Sequence, residues 1–320
     1  MNMFWKKKKK TDQNPLGVPL GDLALMLSTG TIKTSFDGNA LLAKHDHYTT
    51  RVEVVPAAPE AAKDEPIKAV VQVTTELPAP IQKMMKGREI ESAAAFNPMA
   101  ALGALTFDKS RLYIGSRLTI FEREDAWDRL HLPLLLFTII GGAEGILGAM
   151  RRTFDGESPR GGDSEWDEGA FEALKEMMSR FCVCSSGEQG FTAEFGLEAG
   201  VASAVAGHQN TALFQLHGDQ PHPELGGGLF VLLHLPHRLP GDRQVHEACA
   251  RLNLLEMAAV DLPPHFGAWC PGRMGASLAY VSFLPNALHA APKIEMNATM
   301  WGVHRAKWAS EQLAGMGYRA

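Results

Sequence analysis

Apolar positions along this chain follow helical and strand spacings in turn, and the order of the turns repeats. "PLGDLALMLSTG" has the spacing of a short helix. "TIKTSFDGNALLAKH", "HYTTRVEVVP" and "AVVQVTTELP" alternate as strands do. "REIESAAAFNPMAALG" returns to helical spacing, "ALTFDKSRLYIGSRLTIFE" predicts two strands, and "AWDRLHLPLLLFTIIGGAEGILGAM" predicts a closing helix. The cycle then restarts. "FEALKEMMSRFC" places Phe171, Leu174, Met178 and Phe181 on one helical face. "GFTAEFGLEAG", "NTALFQLHG" and "GGLFVLLHLPH" predict three strands. In "DRQVHEACARLNLLEMAA", Val245, Cys249, Leu252 and Leu255 share one side, and Asp242 suits the N-cap. "HFGAWCPGRMGASLAYVSFLPN" predicts two strands about the turn "PGRMG". "IEMNATMWGVHRAKWASEQLAGMG" predicts a last helix, with Gly315 and Gly317 at its end.

The pattern therefore predicts an α+β chain of two tandem α-βββ-α-ββ-α domains with antiparallel sheets. Single letters align as well. "AAAFN", ending at Asn97, matches "CARLN", ending at Asn253; Gly103 then matches Gly267 and Ala104 matches Ala268. Between the halves lies "DGESPRGGDSEWDE", whose acids, glycines and proline have linker composition. The expected divisions are a basic disordered tail at 1–16, a first domain at 17–154, an acidic linker at 155–168 and a second domain at 169–320. The Pro-rich "PAAPEAAKDEP" at 56–66 reads as a loop inside the first domain.

The two closing helices differ. Leu134, Leu135, Leu136, Phe137, Ile139 and Ile140 make the first apolar nearly all round, so it must be buried on more than one side. Gly141, Gly145 and Ala149, four residues apart, would admit another backbone closely. The second carries His304, Arg305, Lys307 and Glu311 and has an ordinary wet face.

Charge narrows the partners. The 320 residues carry 31 basic and 36 acidic side chains. The first ten residues, "MNMFWKKKKK", hold five lysines and no acid, so the body is strongly acidic. An acidic body lacks the basic face that nucleic acid requires. Lys6–Lys10 form a solvated tail or a weak anchor to an anionic membrane surface, each lysine contributing about 1 kcal/mol there. No uninterrupted apolar run follows them, so they do not read as a secretion signal, and four irregularly spaced cysteines point to the cytoplasm.

The element order, with Asn ending "RLN" in the middle helix and "FGAW" after it, resembles the type III secretion chaperone-like fold. That group includes the secretion chaperones and the YbjN-type proteins, described as sensory-transduction regulators. The resemblance is best over residues 211–318 and weaker over 17–154. It implies a cytoplasmic, non-enzymatic protein without cofactor that holds an extended segment of a client protein. Chaperones of the group work as homodimers. Two copies in one chain would supply that dimer internally, as an intrachain pseudo-dimer, with further homodimer formation left open. Exposed apolar groups on the last strands, Trp269, Tyr280 and Phe283, are the expected client contacts.

Candidate chemistry is sparse. Cys270 has His265 nearby but no acid to complete a nucleophilic arrangement, and the first half has Thr106 at the matching position. Cys182 and Cys184 lack a second pair for zinc. Histidine is denser: His217, His222, His234 and His237 fall in the second half, and His217, His234 and His237 are weak metal candidates. They motivate one alternative, an enzyme that binds a metal or small ligand through the second domain. Another is a structural subunit of a secretion or envelope assembly, anchored by the lysine tail. "GGG" at 226–228 precedes a strand and reads as a turn, not a phosphate loop.

Overall fold

A computed structural model describes residues 20–28, 32–55, 67–108, 111–121, 125–197, 210–273 and 275–319. The basic tail expected at 1–16 and the loop expected at 56–66 lie outside the described residues. The chain is α+β, with two six-stranded antiparallel sheets.

The first half runs α1 (Leu20–Ser28), β1 (Lys33–Asp37), β2 (Ala40–Lys44), β3 (Thr49–Val55), β4 (Ile67–Glu76), α2 (Ala79–Met85), α3 (Glu89–Phe96), β5 (Ala104–Asp108), β6 (Arg111–Phe121) and α4 (Asp125–Asp155). The second runs α5 (Glu168–Met178), β7 (Val183–Gly187), β8 (Gly190–Gly196), β9 (Thr211–His217), β10 (Gly228–Arg238), α6 (Asp242–Ala258), β11 (Ala268–Pro271), β12 (Ser277–Pro285) and α7 (Ile294–Gly315). The sheet orders are β1-β2-β3-β4-β6-β5 and β7-β8-β9-β10-β12-β11, the same order in each half.

Each half has four strands before its middle helix, one more than the pattern predicts. In the first half the run read as one strand is a hairpin: Asp37 pairs with Ala40 across a two-residue turn. Gly38 holds φ +58° there, a conformation that costs a glycine nothing. In the second half the missed strand is β7. Its sequence, VCSSG, has no apolar alternation, and only backbone pairing to β8 marks it as a strand. The first half also holds α2, separated from α3 at Gly87 and without a counterpart.

Matching positions make matching bonds. Asn97 exchanges two hydrogen bonds with the backbone of Leu105, at 2.8 and 3.1 Å, and Asn253 does the same with Trp269, at 2.8 and 2.9 Å. Ser116 Oγ donates to the Leu102 carbonyl, and Ser282 Oγ donates to the Phe266 carbonyl. The halves then pair across each other. Arg117 and His265 exchange both backbone bonds, at 3.3 and 2.8 Å, and Phe283 N–H donates to the Ala101 carbonyl at 3.2 Å. Ala101 precedes Gly103 as His265 precedes Gly267, so the two contacts are reciprocal.

Packing closes the junction. α3 packs against α6, and both lie along β5 and β11, which covers the inner edge of each sheet. One apolar cluster draws on both halves: Leu105, Ile114, Ile146 and Met150 join Cys270, Ala279 and Val281. α4 is buried on more than one side, as its composition requires. Leu135, Leu136, Ile139 and Ile140 enter the core with the first sheet, while Ile146, Leu147 and Met150 enter the shared cluster. Its Leu134–Asp155 stretch has the length and apolarity of a membrane span, but is mostly buried inside the fold.

Close approach to α4 occurs at Gly145, where a Cβ would meet Leu225 and His222, and at Gly148, where it would meet Glu224 at 2.5 Å. Gly141 faces open space. The buried Glu224 carboxylate is held by Arg152 Nε at 2.6 Å and Arg160 at 3.2 Å, so it cannot swing aside freely. The 155–168 segment is therefore not a free tether. Arg160 N–H also donates to the Pro223 carbonyl at 2.7 Å, and Asn286 bonds Asp163 and Glu165. Gly148→Ala should cost about 1–3 kcal/mol by overpacking against Glu224, whereas Gly141→Ala should be neutral or gain up to about 1 kcal/mol of helix propensity. Urea unfolding of both variants checks the contrast.

Candidate functional site

The most ordered polar arrangement lies beneath β11 and β12. Asn253 and Glu256 stand three residues apart on α6 and so face the same way. Asn253 clamps the Trp269 backbone, and Glu256 Oε2 accepts the Trp269 indole N–H at 2.8 Å. One helix thus fixes both the main chain and the ring of Trp269. From the far side, α7 supplies Arg305, whose Nε donates to Glu256 Oε1 at 2.7 Å and whose Nη2 donates to the Pro264 carbonyl at 2.5 Å. The Arg305 guanidinium carbon sits 4.1 Å from the Tyr280 ring centroid, a cation–π distance. His265 Nδ1 lies 3.3 Å from Glu256 Oε1, and both residues have 0% exposure.

Arg117 completes the group from β6 of the other half. It is wholly buried, and its acceptors are the carbonyls of Glu256, Leu262 and Pro263 and the hydroxyl of Thr119. Thr119 donates in turn to the Val260 carbonyl at 2.8 Å. These carbonyls, all but that of Glu256 in the last turn of α6, belong to a loop that the first half lacks: Asn253 and Gly267 are fourteen positions apart, Asn97 and Gly103 only six. The extra residues fold over Arg117.

Burial and charge act against each other here. Burial pushes Glu256 up, but Arg305 and His265 outweigh it and hold the carboxyl at about 2. Burial pushes His265 down, with Arg305 and Arg117 acting the same way and Glu256 opposing. The imidazole is therefore neutral at pH 7. Burial lowers Arg117 to about 10, which leaves it charged. A cavity of about 20 Å³ lies between α7 and the sheet, lined by Phe214, Val231, Leu233, Tyr280, Trp301 and Arg305. That is room for one water. The arrangement suits an anchor between helices, sheet and the other half.

The expected client contacts are corrected by their placement. Trp269, Tyr280 and Phe283 are 0%, 3% and 0% exposed, so none offers surface on the last strands. β12 is covered on both faces, because the first half packs on the side that faces solvent in an ordinary half-exposed sheet. Among the described residues, exposed large apolar side chains occur instead at Leu25, Phe36, Met84 and Phe154 in the first half and at Phe181, Val183 and Leu254 in the second.

The reactive candidates are also settled by position. Cys270 is buried, and burial pushes its thiol up to about 12, away from a nucleophile's range. Burial also raises Cys182 to about 12 and raises Cys184. Cys184 lies in β7 against α5, where its Sγ is 3.6 Å from the Lys175 carbonyl. His217 and His234 occupy the half-exposed face of β9 and β10, whereas His237 points to the buried face, 3.4 Å from Ser310 Oγ. Strand alternation therefore separates His237 from the other two. His222 is buried elsewhere, its Nε2 3.0 Å from the Met99 carbonyl. Among the described residues no three His, Cys, Asp or Glu side chains gather as a metal site would need.

Among the described residues two outer edges remain, β1 and β7. β1 begins with Lys33 and ends with Asp37, and Asp37 is bridged by Arg51 at 2.8 Å, with Glu53 on the same arginine at 3.2 Å. β7 carries no charged residue, no proline and no bulge in its pairing with β8. Charge, proline and bulges are the usual means of protecting an edge. β7 is thus the undefended edge, beside Val183 at 42% and Phe181 at 60% exposure. Its apolar content is too low for periodicity to have found it.

Acid should weaken the fold through the buried group. His265 is held below its ordinary 6.5, so its contribution is complete above that pH and is lost as the unfolded chain protonates below it. His222 and His237 are lowered by burial and act in the same direction. Glu256, held at about 2 against 4.5, adds a second loss below about 4.5. Urea midpoints should be flat above about pH 7 and fall steadily below about 6.5. Glu256→Gln, which leaves Arg305 buried and unpaired, should cost about 3–5 kcal/mol at neutral pH.

Compared with protein families, with curated proteins and with solved structures, the chain matches none.

Proposed function

We propose that this chain is a tandem duplication of a secretion-chaperone-like unit, folded as an intrachain pseudo-dimer. On this reading it is a non-enzymatic chaperone, adaptor or regulator that holds an extended segment of a client protein in the cytoplasm. The observation that carries the reading is the reciprocal pairing of Arg117 with His265 and of Phe283 with Ala101. Two bonds at matching positions, each reaching into the other half, are what a two-fold homodimer interface gives when its protomers are joined. The matching sheet orders and the paired asparagine clamps support the same view.

The client would add to β7 rather than contact Trp269, Tyr280 or Phe283. An uncharged edge with no further strand on it among the described residues offers a row of backbone donors and acceptors, and Phe181 and Val183 offer apolar contact beside it. The thiols are buried, Cys184 partly, and burial holds them protonated, while His237 lies on the opposite sheet face from His217 and His234. Both points favour binding over chemistry.

The test is a comparison of baits from the native host. Intact protein should retain a defined partner that Val183→Lys loses by about tenfold or more and Phe36→Lys retains. Equal recovery on both variants would remove β7 from the account. Stoichiometric zinc or iron in the purified protein, lost on substitution of His234 and His237, would favour the metal-dependent enzyme instead.

A further inference from the structure

We infer that the junction between the halves is an acid latch: taking up a proton at His222 and at His265 parts the halves before either unfolds. Both histidines stand at contacts that cross the junction, and the closed form accommodates the charge of neither.

His222 lies before β10 and reaches the first half, with its Nε2 3.0 Å from the Met99 carbonyl. A carbonyl only accepts, so Nε2 carries the proton of the neutral ring. Nδ1 then accepts the backbone N–H of Glu224 at 3.1 Å and of Leu225 at 3.2 Å. A second proton would set an Nδ1–H against two N–H donors. The 222–225 turn would have to reorganise, and it is the turn that packs on α4 at Gly145. Of the charges around it, Glu224 is already bonded by Arg152 of α4 and by Arg160, with Arg151 of α4 at 4.0 Å. β12 presents the Phe283 ring, its centroid 5.2 Å from that of the imidazole.

His265 is the residue whose backbone pairs with Arg117 across the junction. Its Nε2 is buried without a partner among the described residues. Facing the ring are Glu256 from α6, Arg305 from α7, Arg117 from β6 and Tyr280 from β12, with the exposed Asp261 beyond Arg117. Glu256 already accepts from Arg305 and Trp269, so a charged imidazole would be a third cation around one buried carboxylate. Burial holds both histidines below their ordinary 6.5; the Met99 carbonyl and Glu224 oppose it at His222, and Glu256 opposes it at His265 while the arginines reinforce it. Opening wets both rings and frees them to take protons. Closure is therefore complete above about pH 6.5 and is lost as pH falls below it, by up to about tenfold per pH unit for each histidine. The six strands of each sheet bond within one half, so opening can precede unfolding.

Cys270, buried in the apolar cluster that both halves line, reports the opening. The full chain is treated with dithiodipyridine, a disulfide that reacts with thiols in acid, and the modified cysteine is located by peptide mass. Relative to the same thiol in urea-unfolded chain, the Cys270 rate should climb by up to about a hundredfold per pH unit below about 6.5, while far-UV circular dichroism stays unchanged. His265→Gln and His222→Asn should each reduce that steepness to about tenfold, and the double variant should nearly abolish it. A variant that only weakens packing moves the pH of opening and leaves the steepness alone. His237→Gln, at a buried histidine that faces Ser310 within the second half, should also leave it alone. A Cys270 protected until the dichroism itself is lost would overturn the inference, as would unchanged steepness in either single variant.

Discussion

A guanidinium with no exposure must find its acceptors inside the protein, and Arg117 finds most of them on the other half of the chain. That requirement governs much of the fold. It draws the loop after α6 over the outer face of β6, sets His265 in register with Arg117, and leaves Glu256 placed between Trp269 and Arg305. A buried charge with its partners removed is expensive, so the two halves are held by a contact that neither can satisfy alone. The reciprocal contact at Phe283 and Ala101 has no such charge. Where the second half has Phe283, the first has Arg117, and the longer loop exists on the side that serves the arginine.

The halves share a strand order and differ in its use. The first defends its outer edge with the Arg51 ion pairs and donates the long α4 to the junction, where Gly145 and Gly148 let the 222–225 turn sit against the helix. The second keeps a wetter closing helix and leaves β7 plain. Under the proposed duplication, such differences are expected, because each surface of two joined copies is free to serve one purpose only. A homodimer must carry every change twice.

Much of this plan was legible in the sequence. Asn97 and Asn253 align because each clamps the strand after it, and Gly103 and Gly267 align because each precedes that strand. The burial of α4 follows from its all-round apolarity. What was hidden had physical reasons. β7 has no apolar alternation, since its outward face is exposed and its other side chains are small and only half-buried. Trp269, Tyr280 and Phe283 look like surface anchors when only one sheet face is assumed buried; packing of the halves buries both. Arg117 in "YIGSRLTIF" and Glu256 in "NLLEMAA" are charges within apolar runs. That signal could have marked them as a buried pair of anchors, though not as residues from opposite halves of one site.

The central claim is that the halves form one unit through the junction rather than through the peptide that joins them. A protease site placed between Glu157 and Ser158, both exposed, would cut that peptide while leaving the Arg117–His265 and Ala101–Phe283 contacts intact. After cleavage under native conditions, size-exclusion chromatography should return the two fragments together at the elution volume of the uncut chain. Fragments that separate on the column while each stays folded would contradict the account.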